Sequence, residues 1–469
     1  MITPPLPTIS APRRSRLRLW LTLIGVFAFI VLGTMLTLLY RIGKRFDKEY
    51  APVAATLPAE LASAKKEGLP TTLAEMRPNP PVSTTENAAP LYRKMTALYK
   101  KESGGDTEKA FFEAHPEVLK ETPRSTKDDQ AIREFLQTRA AFLQITEQAA
   151  QKPRCDFARD WSGGLDVAFP EYPVMRASAR LLMLRAALLS DENQPGLALQ
   201  DVARAANIAR HTGSDPTVIN ALVKIAIQTI AHRRFIEILQ RHGADPAVLP
   251  AAREAAKALS DPIDVRRAFS GEMVLAGETF KEIRNSPDFT ERMRRQGLRI
   301  PTSNPQVQQQ IADAWQSRSV AYWRKFHSRL SASGGDMLAF EKALKSIQDE
   351  EDTNRFAPGY EMNAILTYVF LEMPSKLMQA QASNHLRQEM LGLLEYKQKT
   401  GAFPEALNDL PKTTVRTDPF TNQPLKYKKM DNGFVLYSVG NNRKDDGGSK
   451  KSIKQGNSNR PEDIVVSYP

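Results

Sequence analysis

Along most of the chain, apolar residues recur at steps of three and four, the spacing that lines one face of an α-helix. After Thr126, Asp128 and Asp129, the positions Ile132, Phe135, Leu136, Ala140 and Leu143 follow it, which predicts a helix over 126–150. The same pattern runs through 174–190 (Met175, Ala179, Leu182, Met183, Ala186, Leu189), through 195–211 and through 216–241 (Val218, Leu222, Ile225, Ile227, Ile230). Pro195 suits the first turn of a helix. Asp-Pro pairs at 215–216, 245–246 and 261–262 punctuate the pattern, and Asp there reads as a cap on the following amides. Long helices joined by short loops pack as antiparallel neighbours, so residues 91–375 read as an α-helical bundle.

The pattern breaks near the start. From Leu19 to Tyr40 there are 22 residues without a charge. At 1.5 Å per residue such a helix reaches about 33 Å, enough to cross a hydrocarbon core. Trp20 and Tyr40 stand at its ends, where aromatic rings favour the headgroup layer. A cleaved leader would have a shorter apolar run ending in small residues, whereas this one runs into Arg41, Lys44 and Arg45. The segment 19–40 therefore reads as an uncleaved single-pass anchor in contact with membrane lipid. Four basic residues flank it on each side, a tie by the positive-inside count. A short tail before a first apolar segment usually stays cytoplasmic, which places residues 1–18 inside and the rest outside. Residues 41–90, with Pro78, Pro80 and Pro81, read as a juxtamembrane, Pro-rich spacer of extended character or as a wrap over the first helices.

Composition narrows the class more than the function. Hydrophobic residues at 41% and charged residues at 25% exclude wholesale disorder. The single Cys155 excludes an intramolecular disulfide and a Cys-rich zinc module. The net charge of +12 is spread along the chain; it suits contact with anionic lipid and does not call for nucleic acid. Residues 281–330 carry ten Lys or Arg against four acids. This stretch reads as a solvated helix surface, with a polyanion or lipid-headgroup site as the functional alternative. Within it Trp315, Tyr322, Trp323 and Phe326 have the spacing of one packed helix face.

The common catalytic signatures are absent: no zinc-binding His-Glu-x-x-His, no phosphate-binding glycine loop, no Gly-x-Ser-x-Gly. His211, Ser214 and Asp215 are close in sequence and read as a helix end followed by a capped Asp-Pro start. Cys155 reads as a half-buried small residue.

Beyond residue 375 the pattern changes again. A helix over 376–400 is stopped by Gly401, and Phe403, Leu407 and Leu410 give a short apolar face. Residues 425–429 and 433–438 flank Met430-Asp431-Asn432, a hairpin signal. A polar loop with Asp445-Asp446-Gly447-Gly448 then leads to Asp463-Ile464-Val465-Val466. Five matches occur in order: Phe403-Pro404, Asp418-Pro419-Phe420, Pro424-Leu425-Lys426-Tyr427, Tyr437-Ser438-Val439-Gly440 and Asp463-Ile464. Together they resemble the C-terminal half of the major pseudopilins of type II secretion systems. The likeness covers less than a fifth of the chain. The arrangement as a whole is similar to large membrane-anchored bacterial proteins that pair a helical body with this module.

The resemblance implies a small α+β cap, an extracytoplasmic location and calcium in the acidic loop. Calcium takes six to eight oxygens, which carboxylates and loop carbonyls supply. By position the ligands would be Asp445, Asp446 and Asp463, with Ser438 and Asn441 as weaker ones. Asn441 and Asn442 stand where the family often has Asp, and Arg443 and Lys444 lower the negative charge further. The apolar segment lies far upstream of the module and lacks the family's peptidase motif, so polymerisation into a pilus is not expected. The expected protein is mainly α: a transmembrane helix, a helical bundle and a C-terminal α+β cap over 376–469 with a short antiparallel sheet. Its expected role is that of an envelope scaffold or binding protein, linked to secretion or assembly, with unidentified protein partners. The rival is an extracytoplasmic enzyme using Cys155, His211 or acids of the body.

Overall fold

The structure, a computed structural model, describes residues 49–119, 124–286, 305–354, 357–360, 372–411, 416–448 and 463–469, and the single positions 288 and 291. The anchor segment 19–40, the arginines at 292, 294, 295 and 299 and the loop 449–462 lie outside the described residues. No described helix is long and apolar enough to cross a membrane.

The body is helical, as its apolar periodicity predicts. Its helices are α1 (Leu57–Lys66), α2 (Ala89–Lys101), α3 (Gly104–Ala114), α4 (Thr126–Thr138), α5 (Ala140–Gln151), α6 (Tyr172–Asp191), α7 (Pro195–Thr212), α8 (Val218–His242), α9 (Leu249–Leu259), α10 (Val265–Asn285), α11 (Pro305–Ala332) and α12 (Met337–Asn354). A final helix, α13, spans Met373–Thr400. The expected helix over 126–150 is two, because Arg139 leaves helical geometry (φ −106°, ψ 13°). There its guanidinium reaches Glu102 at 2.9 Å.

Helices α6, α7 and α8 pack as consecutive antiparallel neighbours, with α5 and α9 against α7. Their contacting faces are rich in alanine (Ala177, Ala179, Ala198, Ala205, Ala209, all buried), and small side chains let the axes approach closely. A second aromatic cluster joins α10, α11 and α12. Trp323 and Phe326 are fully buried against Phe269, which bears out the reading of that face as packing. Helix α10 also lies hard against the α7–α8 connection. A Cβ at Gly271 would fall 1.5 Å from the Pro216 carbonyl oxygen, so only glycine fits.

Of the spacer expected over 41–90, the described part from residue 49 onward is folded onto the body rather than extended. Its backbone is helical from 49 to 54 and again in α1. Tyr50 is 3% exposed and packs in one cluster with Phe280, Ile311 and Trp315. Leu57, Ala64, Leu69 and Met76 are buried too. Prolines at the helix starts and between elements punctuate the segment without unfolding it. The segment does wrap the body, but over α10 and α11 rather than over the first helices.

The C-terminal segment forms a three-stranded antiparallel sheet in the order β1 (Lys426–Lys429), β2 (Phe434–Ser438), β3 (Ile464–Tyr468). Leu436 faces Val466 and Phe434 faces Tyr468 across β2 and β3. Gly401 ends α13 in the left-handed conformation (φ 86°), as its position suggests. The boundary expected at 375/376 does not separate two cores. Met373 and Leu377 belong to the aromatic cluster, and Leu386–Leu394 belong to the main core. That main core also takes in Phe403, Phe434, Leu436, Val466 and Tyr468. Gln240 of α8 donates to the Ser467 carbonyl of β3 at 2.6 Å, a second tie between body and sheet.

Candidate functional site

The acidic loop sits at the open end of this sheet. Three of the five proposed ligands come together there. The Asp445 carboxylate accepts from the Tyr437 hydroxyl at 2.8 Å and from the Gly447 amide at 3.0 Å, with Lys426 Nζ 3.6 Å away. Asp446 accepts from Asn442 Nδ2 at 2.8 Å. Asp463, at the head of β3, accepts from the Gly448 amide at 2.8 Å and, over a long 3.5 Å, from the Asp446 amide. The Tyr437 hydroxyl, helped by the Gly447 amide and Lys426, pulls the Asp445 carboxyl below its ordinary range. Burial pushes Asp463 up, and the charges of Asp446 and Asp445 add to that. A divalent cation would relieve such crowding.

The other two expected ligands point elsewhere. Ser438 is fully buried and donates to Asp418 at 3.0 Å. Asn441 accepts from Ser375 of α13 at 2.9 Å. The six carboxylate oxygens of Asp445, Asp446 and Asp463 only meet the lower limit for calcium, and several already accept protein hydrogen bonds. Among the described residues no group of three or more His, Cys, Asp or Glu is placed to hold a metal ion.

Asp418, in the Asp-Pro-Phe motif, holds this end of the cap instead. Its carboxylate accepts from the amides of Phe420 (2.9 Å) and Val439 (2.8 Å) as well as from Ser438, and only 1% of the residue is exposed. The motif signalled a turn; that the aspartate fastens the end of β2 is a long-range bond no local spacing reveals.

Of the rival enzymatic residues, His211 is engaged in structural hydrogen bonds and Cys155 is packed in the core. His211 bridges Tyr92 and the Lys152 carbonyl, both at 2.8 Å. A carbonyl cannot donate, so Nε2–H donates to Lys152 and Nδ1 accepts from the Tyr92 hydroxyl. Burial lowers His211 to about 4, leaving a neutral ring at physiological pH. Burial, with the nearby Asp215 charge, pushes the Cys155 thiol up and away from the reactive thiolate. Asp215 does not cap α8; Thr217 does, its hydroxyl accepting from the Asn220 amide. The Asp215 carboxylate takes the Arg159 guanidinium at 2.6 Å and the Tyr172 hydroxyl at 2.8 Å. Arg159 also lies 2.9 Å from Glu171 and over the rings of Phe157 and Phe169, at 4.5 and 4.8 Å to their centres. This cluster locks the loop 152–170 onto α6 and α8.

Among the described residues, a groove between residues 65–76 and helices α10 and α11 brings several cations together. It has two adjoining lobes of about 590 Å³ each, sharing Leu69 and Arg266. His327 lies in its wall, 3% exposed, with Nε2 at 3.2 Å from Ser270 Oγ. Burial, with Arg266 nearby, lowers His327 to about 4. Ser270 gives its proton to the Arg266 carbonyl at 2.8 Å, so His327 Nε2 carries the hydrogen. That direction is the reverse of what a serine nucleophile needs. Its cations come from three separate elements, of which only α11, with Arg324 and Lys325, lies in the basic stretch 281–330 that the sequence offers as a polyanion or headgroup site.

The chain matches no protein-family model, no curated protein and no solved structure.

Proposed function

We propose that the chain is a single-pass, membrane-anchored scaffold or binding protein of the bacterial cell envelope. Residues 19–40 are its span, residues 1–18 its cytoplasmic tail, and the folded body and cap lie outside. The observation that carries this reading is the position of Tyr50. Ten residues after Tyr40 the chain is already buried in the body, between Phe280 and Trp315. Ten extended residues span at most about 35 Å. The body is therefore held close to the bilayer rather than displayed on a long stalk, as suits a protein that works at the membrane surface. Two further features favour a binding role over catalysis. His211 is spent on buried hydrogen bonds, Cys155 is packed in the apolar core, and the cap is joined to the body through one core rather than carried as a separate unit. The pseudopilin-like order of motifs in the cap supports the outward topology.

Cysteine labelling tests this reading. Lys109 is exposed, so Lys109→Cys in a Cys155→Ala background should react with a membrane-impermeant maleimide in intact spheroplasts. Labelling only after lysis would put the body in the cytoplasm and overturn the proposal.

A further inference from the structure

We propose that the groove between residues 65–76, α10 and α11 is a binding site for a phosphate group, carried by a small molecule or by a lipid head. It goes beyond the tethering reading, and only the lipid source leans on that reading.

The argument is an inventory of donors and acids. In the first lobe Arg266, Arg324 and Lys325 face a single acid, Glu67. That acid is already held by Arg324, whose Nε lies 3.0 Å from it. Arg324 also binds Glu60, and Lys325 binds Glu350. Arg266 has no ion-pair partner among the described residues. The hydroxyls of Ser328 and Ser331, exposed on the same wall, have no hydrogen-bond partner there either. In the second lobe Lys65, Arg266 and Arg267 face Glu75 and Asp264. Both acids are occupied by backbone. Glu75 accepts from the amides of Thr71 at 2.8 Å and Thr72 at 3.0 Å, and Asp264 accepts from the Arg267 amide at 2.9 Å. Lys65 likewise forms no ion pair among the described residues. Arg266 and Lys65 are thus cations of the groove without an ion pair among the described residues, and with the Ser328 and Ser331 hydroxyls they offer donors to an anion.

The chemical class follows from the donors. A planar guanidinium flanked by hydroxyls presents several N–H and O–H groups to one anion, which suits the three outer oxygens of a phosphate better than a single carboxylate. Apolar Leu69 and Ala321 in the wall leave room for a glycerol-like carbon skeleton. The location supplies a source. The groove is lined by the residues that end α1, about 15 Å along that helix from Leu57, and the chain reaches the body only ten residues beyond the proposed anchor. An anionic phospholipid head is therefore one source the test includes.

The test uses the full chain with two probes. One is glycerol 1-phosphate added to protein in neutral detergent. The other is reconstitution into phosphatidylcholine nanodiscs with and without phosphatidylglycerol. Thermal unfolding and calorimetry are the readouts. The wild type should gain stability with at least one probe, and the effect should shrink as sodium chloride rises. Arg266 is exposed, so Arg266→Ala should fold normally; it should weaken the response by about tenfold or more. Ser328→Ala should weaken it less, and Arg266→Lys should restore part of it. A response to glycerol phosphate assigns a soluble phosphate ligand; a response to phosphatidylglycerol alone assigns a lipid head. No response to either, or an Arg266→Ala protein that responds like the wild type, overturns the proposal. A chain that labels from outside yet responds to neither probe would keep the tethering reading and lose this one.

Discussion

Arg159→Met should cost the body much of its stability, and the cost should depend on pH in a defined direction. In the wild type the guanidinium sits between Asp215 and Glu171, and both carboxylates are at most 5% exposed. Removing one partner of a buried pair leaves uncompensated charge and typically costs about 3–5 kcal/mol. Loss of the contacts with Phe157 and Phe169 adds roughly 0.5–2 kcal/mol. At about 1.4 kcal/mol per tenfold, the folding equilibrium falls by at least a hundredfold. Burial already raises the Asp215 carboxyl, and Arg159 is the largest influence pulling it down. Without Arg159 the folded value rises further above the unfolded one. The folded state then holds a proton that the unfolded state releases, so stability is greatest at low pH and falls as pH rises. Urea unfolding of the full chain in detergent, followed by circular dichroism at pH 4.5 and 7, measures both effects. The double variant Arg159→Met/Asp215→Asn should recover part of the loss at pH 7, because the buried charge is gone. A loss below about 1 kcal/mol, or one that does not change with pH, would refute the account of the cluster as a buried electrostatic lock.

Three further outcomes follow from the same structure. Burial lowers His211 and His327 to about 4 and His232 to about 3, all below the ordinary value of 6.5. Their neutral forms stabilise the fold fully above pH 6.5, and that stability is lost as pH falls toward 4, by up to about 1.4 kcal/mol per pH unit for each ring; urea midpoints of the wild type and His211→Gln at pH 7 and 5 would show a shallower loss in the variant. Calcium at a hundredfold excess over its dissociation constant should add about 2.7 kcal/mol if the Asp445, Asp446 and Asp463 loop completes a site; a melting point unchanged between calcium and chelator, or a shift that survives Asp463→Asn, would remove calcium from the account. Leu436 of β2 is fully buried in the core that α8 and α13 share with the sheet, so Leu436→Ala should cost about 2–5 kcal/mol and lower one cooperative transition; two separate transitions would show that the cap folds independently.

The helices were legible because their signal is local. Steps of three and four, with proline at Pro195 and a left-handed stop at Gly401, need no knowledge of what each helix packs against. The hairpin was legible for the same reason, whereas the third strand of the sheet pairs across a long loop and was expected only from the family resemblance. Composition misled over 41–90, because proline excludes certain backbone shapes but says nothing of what a segment covers. The break at Arg139 also escaped, since the apolar spacing continues through it while the backbone does not.

The candidate sites divide along the same line. The acidic residues of the loop were visible from spacing, and the structure does bring Asp445, Asp446 and Asp463 together. It turns Ser438 and Asn441 away, because each found a nearer partner, in Asp418 and Ser375, from a distant part of the chain. Asp215 looked like a cap and became the acceptor of Arg159, 56 positions away. The groove as a whole had no sequence signature, although Arg324 and Lys325 fall in the basic stretch 281–330 that the sequence offered as a polyanion or lipid-headgroup site. Lys65, Arg266 and Arg324 are ordinary surface cations until α1, α10 and α11 are laid side by side. Which cations are left over can be read only after every acid has taken its partner. The sequence alone determined the elements, the apolar segment and the inventory of charges, because each of these depends on neighbours along the chain. Only the tertiary structure decided which charges cancel and which remain free, because that depends on neighbours in space.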